Sequence, residues 1–105
     1  MNKLKVVKAK IEQIENEMKR AGFWQSEPLA AEQYDFRAAF AMDTMAFSQW
    51  LQFIFIPRVK EIIETKGDFP DESQVAAQAV REFDGVNEAS TLVTLLGEFD
   101  ELFNS

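Results

Sequence analysis

The same spacing of apolar residues stands near both ends of this chain, and it constrains the fold more than any other feature. Leu4, Val7, Ile11, Ile14 and Met18 follow one another at steps of three and four residues, and so do Ala89, Leu92, Leu96, Phe99 and Phe103. A helical period of about 3.6 residues keeps such positions on one stripe. Each run is too short to stand as a free coiled coil, so each predicts one seam of a helix bundle. The first helix is predicted over residues 2–21, with Asn2 as its N-cap and Gly22 as its left-handed stop. Asn87 is the expected cap of the last helix, with Glu88 at its positive end.

Between the seams lies an aromatic segment. On a helical projection Phe40, Phe47, Trp50, Leu51, Ile54 and Phe55 share one broad side, while Ser48, Gln49 and Gln52 take the opposite sector. Trp50 to Ile56 is also rich in residues that favour strands. A lone strand would have no partner, however, because no other segment alternates with period two. The prediction is a central helix from Phe36 or Asp43 to about Thr65. Pro57 lies inside it, removes the backbone bond to Phe53 and bends the axis.

Residues 23–33 read as a connector, broken by Ser26 and Pro28, with a short turn opened by Pro28 at Leu29 as the alternative. Phe69-Pro70-Asp71 is a second break. A third helix should follow, capped by Asp71 or Ser73, using Val75, Ala76, Ala79, Val80 and Phe83, and ended by Asp84-Gly85. The fold expected is all-α: one domain over residues 1–105, a four-helix antiparallel bundle, up-and-down, with a Pro-bent central helix.

Composition narrows the chemistry. The chain has no cysteine and no histidine, which excludes disulfides, thiolate nucleophiles, Cys/His zinc sites and imidazole catalysis. Residues 1–22 hold six Lys/Arg against three Glu, whereas the remainder holds five against fifteen acidic residues, for a net charge of −7. An acidic body repels phosphate backbones and argues against direct nucleic-acid binding. The lysines of the first helix read either as a basic arm for an acidic partner or as a solvated face beside the acidic remainder. No h-region of a signal peptide stands in Met1–Lys10, and the longest apolar run, Phe53–Ile56, cannot span a bilayer. A cytoplasmic protein off the membrane, with no cofactor and no metal, is the expectation.

The string from Phe40 to Arg58, with Gly22-Phe23-Trp24 before it and Phe69-Pro70 after it, resembles the signature of the bacterial YqcC-like family. Two departures are visible: Ala39 stands where the family usually has Pro, and Ala77-Gln78 where it tends to have Pro-Met. Both touch helix starts rather than chemistry. The resemblance implies a small four-helix protein of unknown function. Members are often encoded beside a tRNA pseudouridine synthase, which implies a link to tRNA modification and assigns a role to no residue.

The candidate surface comprises Trp24, Asp43, Gln49, Trp50, Gln52, Phe53 and Arg58. Asp43-Thr44 reads either as a polar-ligand site or as the cap and first turn of the central helix. Gln49, Gln52 and Arg58 read as hydrogen-bonding groups for a carboxylate, phosphate or peptide backbone, or as a solvated face. Trp24, Trp50 and Phe53 read as interface anchors, as the walls of a pocket, or as core. Asp71/Glu72 and Asp100/Glu101 are the weakest candidates, because neighbours on a helix diverge by about 100°. The leading expectation is a protein-interaction module rather than an enzyme, its partner an RNA-modification enzyme or a second copy of itself. The alternative is a small-molecule-binding bundle with an apolar pocket near the Pro57 bend.

Overall fold

The computed structural model describes residues 3–104, so the Asn2 cap lies outside the described residues. Four helices carry the fold. Helix α1 is Lys3–Ala21. Helix α2 is made of Phe47–Trp50, a π-helical turn at Leu51–Phe55, and Ile56–Thr65, which follow one another without a break. Helix α3 is Val75–Glu82 and α4 is Ser90–Glu101. Short 3-10 turns stand at Ala31–Tyr34, Ala39–Ala41 and Asn87–Ala89.

Side-chain contacts fix the helix directions. Lys60 of α2 reaches Glu15 of α1 at 2.7 Å, while Lys8 and Glu12 share a surface pocket with Ile63 and Glu64. Rising numbers on one helix thus meet falling numbers on the other. Lys10 pairs with Glu98 at 2.7 Å and Lys3 lies over the Phe103 ring at 4.6 Å, so α4 also runs against α1. Asp100, near the end of α4, meets the start of α3. The result is the expected up-and-down bundle. The helices approach closely as α1 with α2, α1 with α4, and α3 with α4. The α2 and α3 faces are bridged by rings instead, with Phe47 edge-on to Phe83 at 5.7 Å.

Both predicted seams are core. Val7, Ile11, Ile14, Met18, Leu92 and Leu96 are at most 1% exposed, and Ala89, Phe99 and Phe103 are buried with them. Leu4 is half-buried. Gly22 and Gly85 take positive φ, 86° and 78°, as helix stops require. In the first helix Lys10 pairs with Glu98 across the bundle, while Lys19 and Arg20 pair with Glu15 and Glu17 of the same helix. Hydrogen bonds from Lys19 and Lys60 hold the Glu15 carboxyl below its ordinary pKa, and Arg20 does the same for Glu17.

Four local expectations need correction. The central helix begins at Phe47, not at Phe36 or Asp43, because Ala46 is extended at its entrance and the Gln49 side chain accepts the Ala46 N–H at 2.9 Å. Phe40 consequently lies outside that helix, in the 3-10 turn, at φ 57°. Asn87 does not cap α4 through its side chain; it lies inside a 3-10 turn that leads into Ser90. Val80 is 58% exposed rather than core, since α3 turns Val75 and Ala79 inward.

The fourth correction concerns the start of α3. Neither Asp71 nor Ser73 caps it. Asp100 does so from α4, its carboxylate accepting the N–H groups of Val75 at 3.1 Å and Ala76 at 2.8 Å and the Ser73 hydroxyl at 2.5 Å. Asn104 adds a two-way tie to the Ser73 backbone, accepting its N–H at 3.0 Å and donating to its C=O at 2.6 Å. A carboxylate aimed at unpaired helix N–H groups is doubly favourable there, by hydrogen bonding and by the helix dipole.

Candidate functional site

The seven candidate residues fall into three places. Gln49 and Gln52 face the connector after α1 and bind one residue of it. The Gln52 amide accepts the Gln25 N–H at 3.0 Å and donates to the Gln25 C=O at 2.8 Å. Gln49 donates to the Gln25 side-chain oxygen at 3.0 Å, while its own oxygen accepts from Ala46. Gln52 is buried, so this tie is satisfied within the fold. A non-helical connector crossing an apolar face needs partners for its N–H and C=O, and Gln52 supplies both.

Two half-buried aromatics flank the tied residues along the chain. Trp24 precedes Gln25, and Phe53 follows Gln52; both rest partly buried against the core. The Lys19 ammonium lies 5.0 Å from the centre of the Trp24 ring, a cation–π contact. Gln52→Ala is expected to lower stability by about 2 kcal/mol, the cost of leaving the Gln25 backbone groups unpaired in a partly buried site. Urea unfolding gives the loss, and limited proteolysis should show faster cutting after residues 23–25.

Asp43 is exposed and part of neither grouping. Its carboxylate accepts the N–H groups of Arg37 at 2.9 Å and Ala38 at 3.3 Å, ordering the turn before it rather than the central helix. The Arg37 N–H is the main reason its pKa falls below the ordinary aspartate value. Thr44 likewise is not in a helical first turn; its hydroxyl donates to the Gln33 C=O at 2.6 Å.

Trp50 and Arg58 meet at a pocket of about 290 Å³ on the open α2–α3 side. Trp50 stacks on Phe47 at 5.7 Å and on Phe55 at 5.4 Å, and Phe40 meets it edge-on at 5.0 Å. The contact with Phe55 is a consequence of the π turn. In an α-helix residues five apart point about 140° from one another. A π turn closes its hydrogen bond from residue i+5, as the Ile56 N–H does onto the Leu51 C=O. That wider turn brings Phe55 beneath Trp50 and also ends where Pro57 has no N–H to offer. Phe99 packs edge-on to Phe55 at 5.1 Å and lines the same pocket. Arg58 is exposed at its edge.

Sequence reasoning missed Gln25 and named Asp100 only as half of a weak carboxylate pair, not as a cap for another helix. The signal for Asp100 was present: it stands four residues after Leu96, inside the widened apolar stripe of the last helix, where a carboxylate needs a partner. Among the described residues no group of three or more Asp or Glu could hold a metal ion, and no helix is long and apolar enough to cross a membrane.

A family model described as "tRNA pseudouridine synthase C" matches residues 6–102. An uncharacterized protein of Haemophilus influenzae is 34% identical over 101 residues, covering 93% of this chain and 92% of that one. The uncharacterized protein YqcC of Escherichia coli is 27% identical over 70 residues, 67% of this chain and 64% of its own. The chain belongs to the YqcC-like family. A protein of Pectobacterium carotovorum subsp. carotovorum named "tRNA pseudouridine synthase C" is 29% identical over 70 residues, which are 67% of this chain but 19% of that one. No solved structure matches this YqcC-like chain.

Proposed function

We propose that this YqcC-like chain is an interaction module, without catalysis of its own, that docks on a pseudouridine synthase acting on tRNA. The observation that carries this reading is the Pectobacterium relative. Its similar stretch occupies 19% of a protein named as such a synthase, so about four-fifths of that protein has no counterpart in these matched residues. Covalent attachment and a docking surface serve the same end, a high effective concentration of one unit beside the other.

The residues assigned to this role are Trp24 and Phe53, each next in the chain to one end of the Gln25–Gln52 tie. Large half-buried rings on a hydrogen-bonded backing lose little freedom on binding, which suits them as anchors. The chain's net charge of −7 also complements the basic surface that a tRNA-binding enzyme needs, and speeds encounter at low salt. The test is titration calorimetry of the chain with the synthase of the same organism. Trp24→Ala and Phe53→Ala are each expected to weaken the complex by about tenfold or more. No complex, or a complex indifferent to both substitutions, overturns the reading.

A further inference from the structure

The pocket on the α2–α3 side plays no part in that docking surface, and two unusual pieces of backbone build it. Phe40, one of its walls, has φ 57° and is followed by Ala41 at φ 54°. Each left-handed residue other than glycine costs about 1–2 kcal/mol, and such strain gathers at functional sites. The π turn at Leu51–Phe55 is the second piece, and it aligns the Trp50 and Phe55 rings. Phe69, Phe99 and Phe103 complete an aromatic interior.

Two charges of opposite sign line the same pocket. Arg58 and Glu72 are both exposed, and neither side chain has an ion pair or hydrogen bond among the described residues. They do not pair with each other, so their charged atoms stand more than 4.0 Å apart. An aromatic cavity edged by a free guanidinium and a free carboxylate is complementary to a molecule with a ring, a carboxylate and an ammonium. We infer that this pocket binds a free aromatic α-amino acid, ring inward, its carboxylate on Arg58 and its ammonium on Glu72.

Other occupants fit less well. A nucleotide phosphate would meet a rim with no net positive charge. A ring carried within a polypeptide lacks both free charges and would leave Arg58 and Glu72 unused. A plain hydrocarbon would do the same. The Ser73 backbone at the outer wall is already tied to Asn104, so a peptide strand finds no free ladder there.

The experiment is calorimetric titration with L-phenylalanine, 3-phenylpropionate, phenethylamine and N-acetylphenylalanine amide, with Trp50 emission followed in a Trp24→Phe background. L-phenylalanine should bind best, and loss of either charge from the ligand should weaken binding by about tenfold. Arg58→Gln should weaken phenylalanine and phenylpropionate by about tenfold and leave phenethylamine unchanged; Glu72→Gln should weaken phenylalanine and phenethylamine by about tenfold and leave phenylpropionate unchanged. Both side chains are exposed, so the variants keep the fold. Absence of phenylalanine binding up to its solubility, equal binding of the amide, or the same phenylpropionate-to-phenethylamine preference in the two variants overturns the assignment. None of these residues belongs to the Trp24–Phe53 surface, so failure here is distinct from failure of the docking role.

Discussion

Trp50→Ala is expected to lower the unfolding free energy by about 4 kcal/mol, the usual loss when a buried large ring is cut to a methyl. Its ring is 9% exposed and meets Phe40, Phe47 and Phe55. These rings do the work that close helix contact does elsewhere, because they fill the space between α2 and the α3 side of the bundle. Removing the central one leaves a cavity that neighbouring helices cannot close without moving Phe40 out of its constrained turn. Against a typical domain stability of about 5–15 kcal/mol, such a loss leaves a marginal protein. Urea unfolding followed by circular dichroism gives the midpoint shift. A change below about 1 kcal/mol would mean that Trp50 is a surface anchor and not core.

Asp100→Ala is expected to cost about 3 kcal/mol, because three hydrogen bonds to a carboxylate disappear and two helix N–H groups lose their partner. Asp100→Asn keeps the shape and one acceptor oxygen, so it should cost about half as much. The effect should be local. Helix α3 has eight residues, Val75–Glu82, and helices shorter than about 12–15 residues do not persist alone in water. Hydrogen exchange should therefore show α3 amides losing protection in Asp100→Ala while α1 amides, held by Val7, Ile11, Ile14 and Met18, keep theirs. Equal loss in both helices would show that Asp100 supports the whole bundle and not the start of α3.

The candidate site was only partly legible before the fold was known. Gln49 and Gln52 stand out in sequence because they interrupt an apolar segment, but their partner is Gln25, 24 and 27 residues away. Such a bond has no spacing rule, since it depends on where a connector crosses a helix. The helix starts misread for a related reason. Sequence reasoning looks for Ser, Thr, Asp or Asn at the cap, whereas Ala30 and Ala46 occupy those positions and Gln33 and Gln49 reach back to their N–H groups. Only the glutamine half of that device is written in the chain.

What the residues settled alone is the set of helical stripes: the 3-4 spacings from Leu4 to Met18 and from Ala89 to Phe103, the breaks at Gly22, Phe69-Pro70 and Gly85, and the family signature around Trp50. Each depends on local geometry, because a helical period and a left-handed stop are properties of neighbouring residues. Tertiary structure alone decided that Asp100 caps another helix, that Gln52 holds Gln25, and that Arg58 and Glu72 line one aromatic pocket. Those pairings join residues from 14 to 27 positions apart. Their energies come from desolvation and hydrogen bonding between elements, and these exist only once the helices have packed.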